Sequence, residues 1–125
     1  MLNHKQAHLL IKAQKERGRK NFKECIRLCQ SVLKASPDTT EAHEILGLAA
    51  LDSHDFFTAE TAGREVMRLQ PLNPNGALIT SVSLMSRAMD NAAIEVLKLY
   101  LKLQYDLKRD YRIPGSMSIG NYYGE

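Results

Sequence analysis

Residues 38–71 read DTTEAHEILGLAALDSHDFFTAETAGREVMRLQP, and this stretch decides the fold. Its apolar residues fall into two groups, Ile45, Leu46, Leu48, Ala49 and Leu51, then Phe56, Ala59, Val66 and Met67. Ile45, Leu48 and Ala49 stand three and four apart, and Phe56, Ala59 and Val66 three and seven apart, the spacings of one buried helix face. Asp38, with Glu41 three residues on, reads as the N-cap of the first helix. Ser53-His54 breaks the pattern, Asp55 caps the second helix, and Pro71 closes the unit because the residue before proline is driven out of the helical region. The prediction is a helical hairpin.

Working outward, a shift of 34 residues brings like onto like. Ile11, Ile45 and Ile79 fall in step, as do the small residues Cys25, Ala59 and Ala93, and again Ala13, Gly47 and Ser81. Phe22 aligns with Phe56 and Pro37 with Pro71. Several such rows at one offset mark a structural repeat. On the N-terminal side, Leu9, Leu10, Ile11 and Ala13 begin a stripe that stops near Gly18. Asn21 with Glu24 then reads as a capping box for a helix carrying Phe22, Cys25, Ile26, Cys29, Val32 and Leu33. On the other side Asn73 caps a helix with Pro74 in its first turn, where a missing N–H costs nothing. A last helix starts at Asp90 and carries Ala93, Ile94, Leu97, Tyr100 and Leu101. No segment alternates with period two between turn residues, so no strand is predicted.

The expectation is therefore six helices in three hairpins over residues 1–109, divided at about 3–37, 38–71 and 72–109. Residues 110–125 form a tail, extended or disordered, punctuated by Pro114, Gly115 and Gly120. The sequence His43-Glu-Ile-Leu46-Gly47, then Ala59, then Pro71, resembles the tetratricopeptide repeat. His43 stands where that family has a Trp, Ala50 where it has a Tyr, and Gly63 where it has a Phe. The resemblance covers about residues 5–105 and implies an all-α fold, an α-α superhelix of three tetratricopeptide-like hairpins.

It also implies a binding role, because the first helix of each pair in that family lines a concave groove. Carried over by position, the groove-facing residues are Leu10, Gln14 and Arg17; Glu44, Leu48 and Leu51; and Leu78, Val82 and Met85. The aliphatic members need a cover, since an open apolar groove is unfavourable in water. The expected partner is another protein, offering an apolar helix or extended peptide; the chain's own tail, or self-association with a second copy, is the alternative cover. In composition the groove is similar to that of small secretion chaperones, a chaperone-like character. It lacks the basic residues with which other tetratricopeptide domains clamp a terminal carboxylate.

Charge is uneven. Residues 1–35 hold nine Lys or Arg against two acids, and the remainder eight against twelve. The basic segment Lys12, Lys15, Arg17, Arg19, Lys20 and Lys23 makes an acidic partner or nucleic acid the rival reading for the N-terminal hairpin. Nucleic acid is the weaker form of that rival, for aromatics make up only 6% and Phe22 reads as buried.

No nucleophile–base pairing, Gly-rich phosphate loop or pair of carboxylates in an apolar setting is present, so no enzyme is expected. His4 and His8 share a helix spacing but lack a third ligand, and His43 reads as a packed, hydrogen-bonded side chain; no metal or cofactor is expected. The longest strongly apolar run, residues 45–51, is far below the roughly 20 residues of a membrane span, and no secretory signal pattern opens the chain. Two cysteines four apart read as reduced packing residues, and the expected location is cytoplasmic.

Overall fold

A computed structural model describes residues 2–110 of the chain. Within them lie six helices: α1 (His4–Gly18), α2 (Phe22–Ala35), α3 (Thr40–Asp52), α4 (Phe56–Leu69), α5 (Pro74–Ser86) and α6 (Asp90–Asp110). No strand occurs among the described residues. The expected tail loses Asp110 to α6, and positions 111–125 lie outside the described residues. No described helix is long and apolar enough to cross a membrane.

Each helix packs on its neighbours in the chain, and in addition α1 touches α3 and α3 touches α5. That pattern places α1, α3 and α5 in an inner layer, with α2, α4 and α6 outside it. The core is shared between repeats, as the physics of stacked hairpins requires. Leu28, Cys29 and Val32 of α2 cluster with Ala42, Leu46 and Ala49 of α3. Ala50, Ala59 and Ile79 join three successive helices, and Ala77, Leu84, Ala93 and Val96 close the last hairpin.

The turn inside each hairpin repeats with the period of the sequence. Lys20, His54 and Ala88 all adopt left-handed backbone, with φ of 65°, 63° and 59°. At each turn the following amide reaches back to the helix, Asn21 to Glu16, Asp55 to Ala50 and Met89 to Leu84, all at 2.8 Å. This is the double-bonded helix stop that ordinarily selects glycine.

Four expectations change. Asn21 makes no side-chain cap; Glu24 instead forms two 2.7 Å bonds with Arg27. The cap of α3 is Thr39, not Asp38, and Asp38 accepts from Arg68 at 3.1 Å across the repeat. The 34-residue register and the family resemblance set Gly47 beside Ala59 as a close helix approach, but a Cβ on Gly47 would meet Ile79 and Ala62 instead. Ile94, Leu97 and Leu101, taken as core, are exposed, and Val96 with Ala93 fills the seam to α5. The caps at Asp55 and Asn73 form as expected, accepting from Thr58 and Asn75. An unexpected capping box sits at Asn3, where Asn3 and Gln6 each accept the other's backbone N–H.

Candidate binding groove

The inner helices shape the site. α1 and α3 lie side by side, so residues one turn apart on each face a common cleft. Gln14 and Arg17 from α1, Glu44 and Leu48 from α3, and Asn75 from α5 line a cavity of about 420 Å3. Two further cavities adjoin it. One of about 600 Å3 shares Glu41 and Glu44 and reaches Asp38 and Gln70; the other, about 540 Å3, shares Gln14 and Arg17 and reaches Lys20 and Asp52. The shared residues make these one continuous cleft, carboxylates toward the start of α3 and cations toward the end of α1.

Its charges are held in place. Arg17 donates to Asp52 at 3.2 Å, bridging α1 and α3. Glu44 accepts from Asn75 at 2.6 Å and Asn73 at 3.1 Å, bridging α3 and α5. Outside the cleft, the hydrogen bond and charge of Arg68 hold Glu65 below the usual carboxylate range. His43 is buried, and its Nε2–H donates to the Pro37 carbonyl at 2.8 Å, the packed histidine that was expected. Cys25 and Cys29 are fully buried; their mutual hydrogen bond, reinforced by burial, pushes the Cys29 thiol up.

Of the nine groove residues expected, Gln14, Arg17, Glu44 and Leu48 line the cleft together. Leu10 does not: at 5% exposure it belongs to the cluster holding Ala42 and Ile45, drawn into the seam between α1 and α3. Leu51 is half-buried against Ala50, Ala59 and Ile79, and Val82 is half-buried too. Leu78 and Met85 stand open, at 54% and 49% exposure. They occupy on α5 the repeat positions that Glu44 and Leu51 hold on α3, beyond the described cavities. The expectation of an oily channel is thus corrected: the cleft proper is mixed and polar, and the open aliphatic surface is confined to α5. Glu41 and Asn75 were not among the nine. One turn before Glu44 and Leu78 in the same register, they were within reach of the periodicity that found the others.

No protein-family model matches the chain, and no curated protein matches it. Solved structures do. A MamA point mutant superposes with a TM-score of 0.71 at 15% identity, over 80% of this chain and 55% of that one. A Thermobaculum terrenum O-GlcNAc transferase mutant gives 0.70 at 24% identity, over 85% of this chain and 21% of that one. A second MamA structure, from AMB-1, gives 0.69 at 15% identity, over 78% and 53%. The chain therefore spans about half the length of the one protein and a fifth of the other. At these identities the likeness establishes the fold alone, a helical repeat of tetratricopeptide type.

Proposed function

We propose that this chain is a protein-interaction scaffold, not an enzyme, whose concave cleft takes an extended or helical segment of another protein. The observation that supports the reading is the cleft itself, continuous along α1 and α3, with Leu78 and Met85 open beside it on α5. A segment fitting this surface is apolar where it meets α5. It places a cation toward Glu41 and Glu44 and an acidic group toward Arg17 and Lys20, a polarity that fixes its direction. An adaptor or chaperone-like role and a cytoplasmic location belong to the same proposal, the latter supported by two cysteines that remain free thiols inside the core.

The test is selection of binding peptides on the full chain, followed by Leu78→Glu with Met85→Glu. Both side chains are about half open, so far-UV circular dichroism is expected to stay unchanged. Affinity for the selected peptides falls by at least about tenfold. Undiminished binding sinks the groove assignment.

A second reading has its own observation. Arg17, Arg19 and Arg27 are each ion-paired, whereas Lys12, Lys15, Lys20 and Lys23 make no ion pair among the described residues. With Lys5 and Lys34, also without an ion pair among the described residues, six free cations on the first hairpin suit an acidic partner, of which nucleic acid is one form. Titration with an acidic peptide and with RNA at two salt concentrations decides it: no binding at low salt removes this reading.

A further inference from the structure

We infer that the outer face of α6 is a self-association surface, on which a second copy of this chain packs its own α6 in antiparallel fashion. The inference is independent of the cleft.

The face is a continuous stripe of Ile94, Leu97, Leu101 and Tyr105, all exposed, with Leu101 at 60% and Tyr105 at 64%. Their spacings of three, four and four put them on one side of the helix, beside the face that Ala93 and Val96 turn toward α5. The repeat explains why the stripe is apolar. Leu97 and Leu101 stand 34 residues after Gly63 and Met67, and those two residues pack against α5: a Cβ at 63 would meet Thr80, and one at Gly76 would meet Met67. At these two positions α6 presents the surface that α4 uses to hold the next helix, and no described helix fills it. α6 is also 21 residues long against 14 for α4, which carries Tyr105 roughly half a turn beyond the reach of a helix the length of α4.

A second copy fits because the stripe is self-complementary, charges included. A two-fold axis near Leu99 sets Leu97 opposite Leu101 of the other copy and Ile94 opposite Tyr105. The same operation sets Asp90 opposite Lys108, and these two residues cap the stripe at its ends, four before Ile94 and three after Tyr105. Both are exposed and neither holds an ion pair among the described residues. An isologous contact of this kind closes on itself as a dimer. The open area of the four side chains is roughly 450 Å2 per copy, and with the charged rim the pair reaches about 1,000–1,200 Å2, the lower edge of stable interfaces. The dimer is accordingly a reversible one, with a dissociation constant in the micromolar range.

Sedimentation equilibrium of the full chain across micromolar to near-millimolar concentration tests this. The expected result is a mass rising from 14.1 kDa to twice that value. Leu101→Glu is expected to raise the dissociation constant at least about 100-fold with helicity unchanged. Asp90→Lys and Lys108→Asp each weaken the dimer, and the double variant restores it, an outcome that the helix dipole alone does not produce. A chain monomeric at every concentration overturns the inference, as does one that dimerises only once residues 111–125 are removed, for those residues would then hold the stripe. A dimer indifferent to Leu101→Glu overturns it equally.

Discussion

A β-carbon added at Gly63 would stand 2.9 Å from the Thr80 backbone nitrogen, and one at Gly76 would stand 2.8 Å from that of Met67. The neighbour in each case is main chain, which cannot rotate aside, so α4 and α5 approach closely only because these two positions lack side chains. Gly63→Ala is therefore expected to cost about 1–3 kcal/mol despite the better helix propensity of alanine. Urea unfolding checks it, and a stabilised variant would show that α5 can shift. The Thr80 hydroxyl lies in the same seam, buried and without a hydrogen-bond partner among the described residues. In sequence Gly63 stood out only as a missing family Phe. Its reason is the helix opposite, which no local pattern reports.

Among the elements, the three hairpin turns carry the clearest unsolved cost. Lys20, His54 and Ala88 take left-handed backbone, a conformation that disfavours any residue with a Cβ by about 1–2 kcal/mol, and the 34-residue spacing shows it to be a property of the repeat. Ala88→Gly relieves the strain at an exposed site, and the expected outcome is a gain of about 0.5–1 kcal/mol, read from the thermal or urea midpoint. The turns were legible as breaks in the apolar pattern, at Gly18 and at Ser53-His54, but not as left-handed residues, because none is glycine. The caps divide in the same way. Asp55 and Asn73 bond the amides that their positions suggested, whereas Asp38 was captured by Arg68 from the second helix of its own hairpin and Glu24 by Arg27. A side chain with two partners available goes to the stronger one, and a charged arginine outbids a neutral amide.

At the scale of the whole molecule, the core crosses every boundary between hairpins. Cys25, Leu28 and Val32 of the first hairpin cover Ala42, Ile45 and Leu46 of the second, so neither hairpin keeps its interior dry alone. The expectation is one cooperative unfolding transition. Far-UV circular dichroism, which reads all six helices, and the reactivity of Cys25 and Cys29, which reads the first hairpin, are expected to follow the same urea curve. Separate midpoints would mean that the first hairpin is an independent unit. The two ends of the stack show what sharing leaves behind. Ile11 is 55% exposed although its repeat equivalents Ile45 and Ile79 are buried, because no described helix stands against that face of α1. The stripe on α6 is open because no described helix packs on that side.

The amino-acid sequence by itself determined the six helices, their pairing and the 34-residue repeat, because these follow from the spacing of apolar residues and the placing of helix breakers along one chain. The family resemblance, carried over by position, further implied that Gln14, Arg17, Glu44 and Leu48 share a wall. Tertiary structure alone decided which aliphatic residues stay open. Leu10, Leu48 and Leu78, or Ile94 and Val96, look alike in composition, and their exposure depends on whether another helix stands within reach. Burial is a property of the space between elements, and periodicity along one element does not contain it.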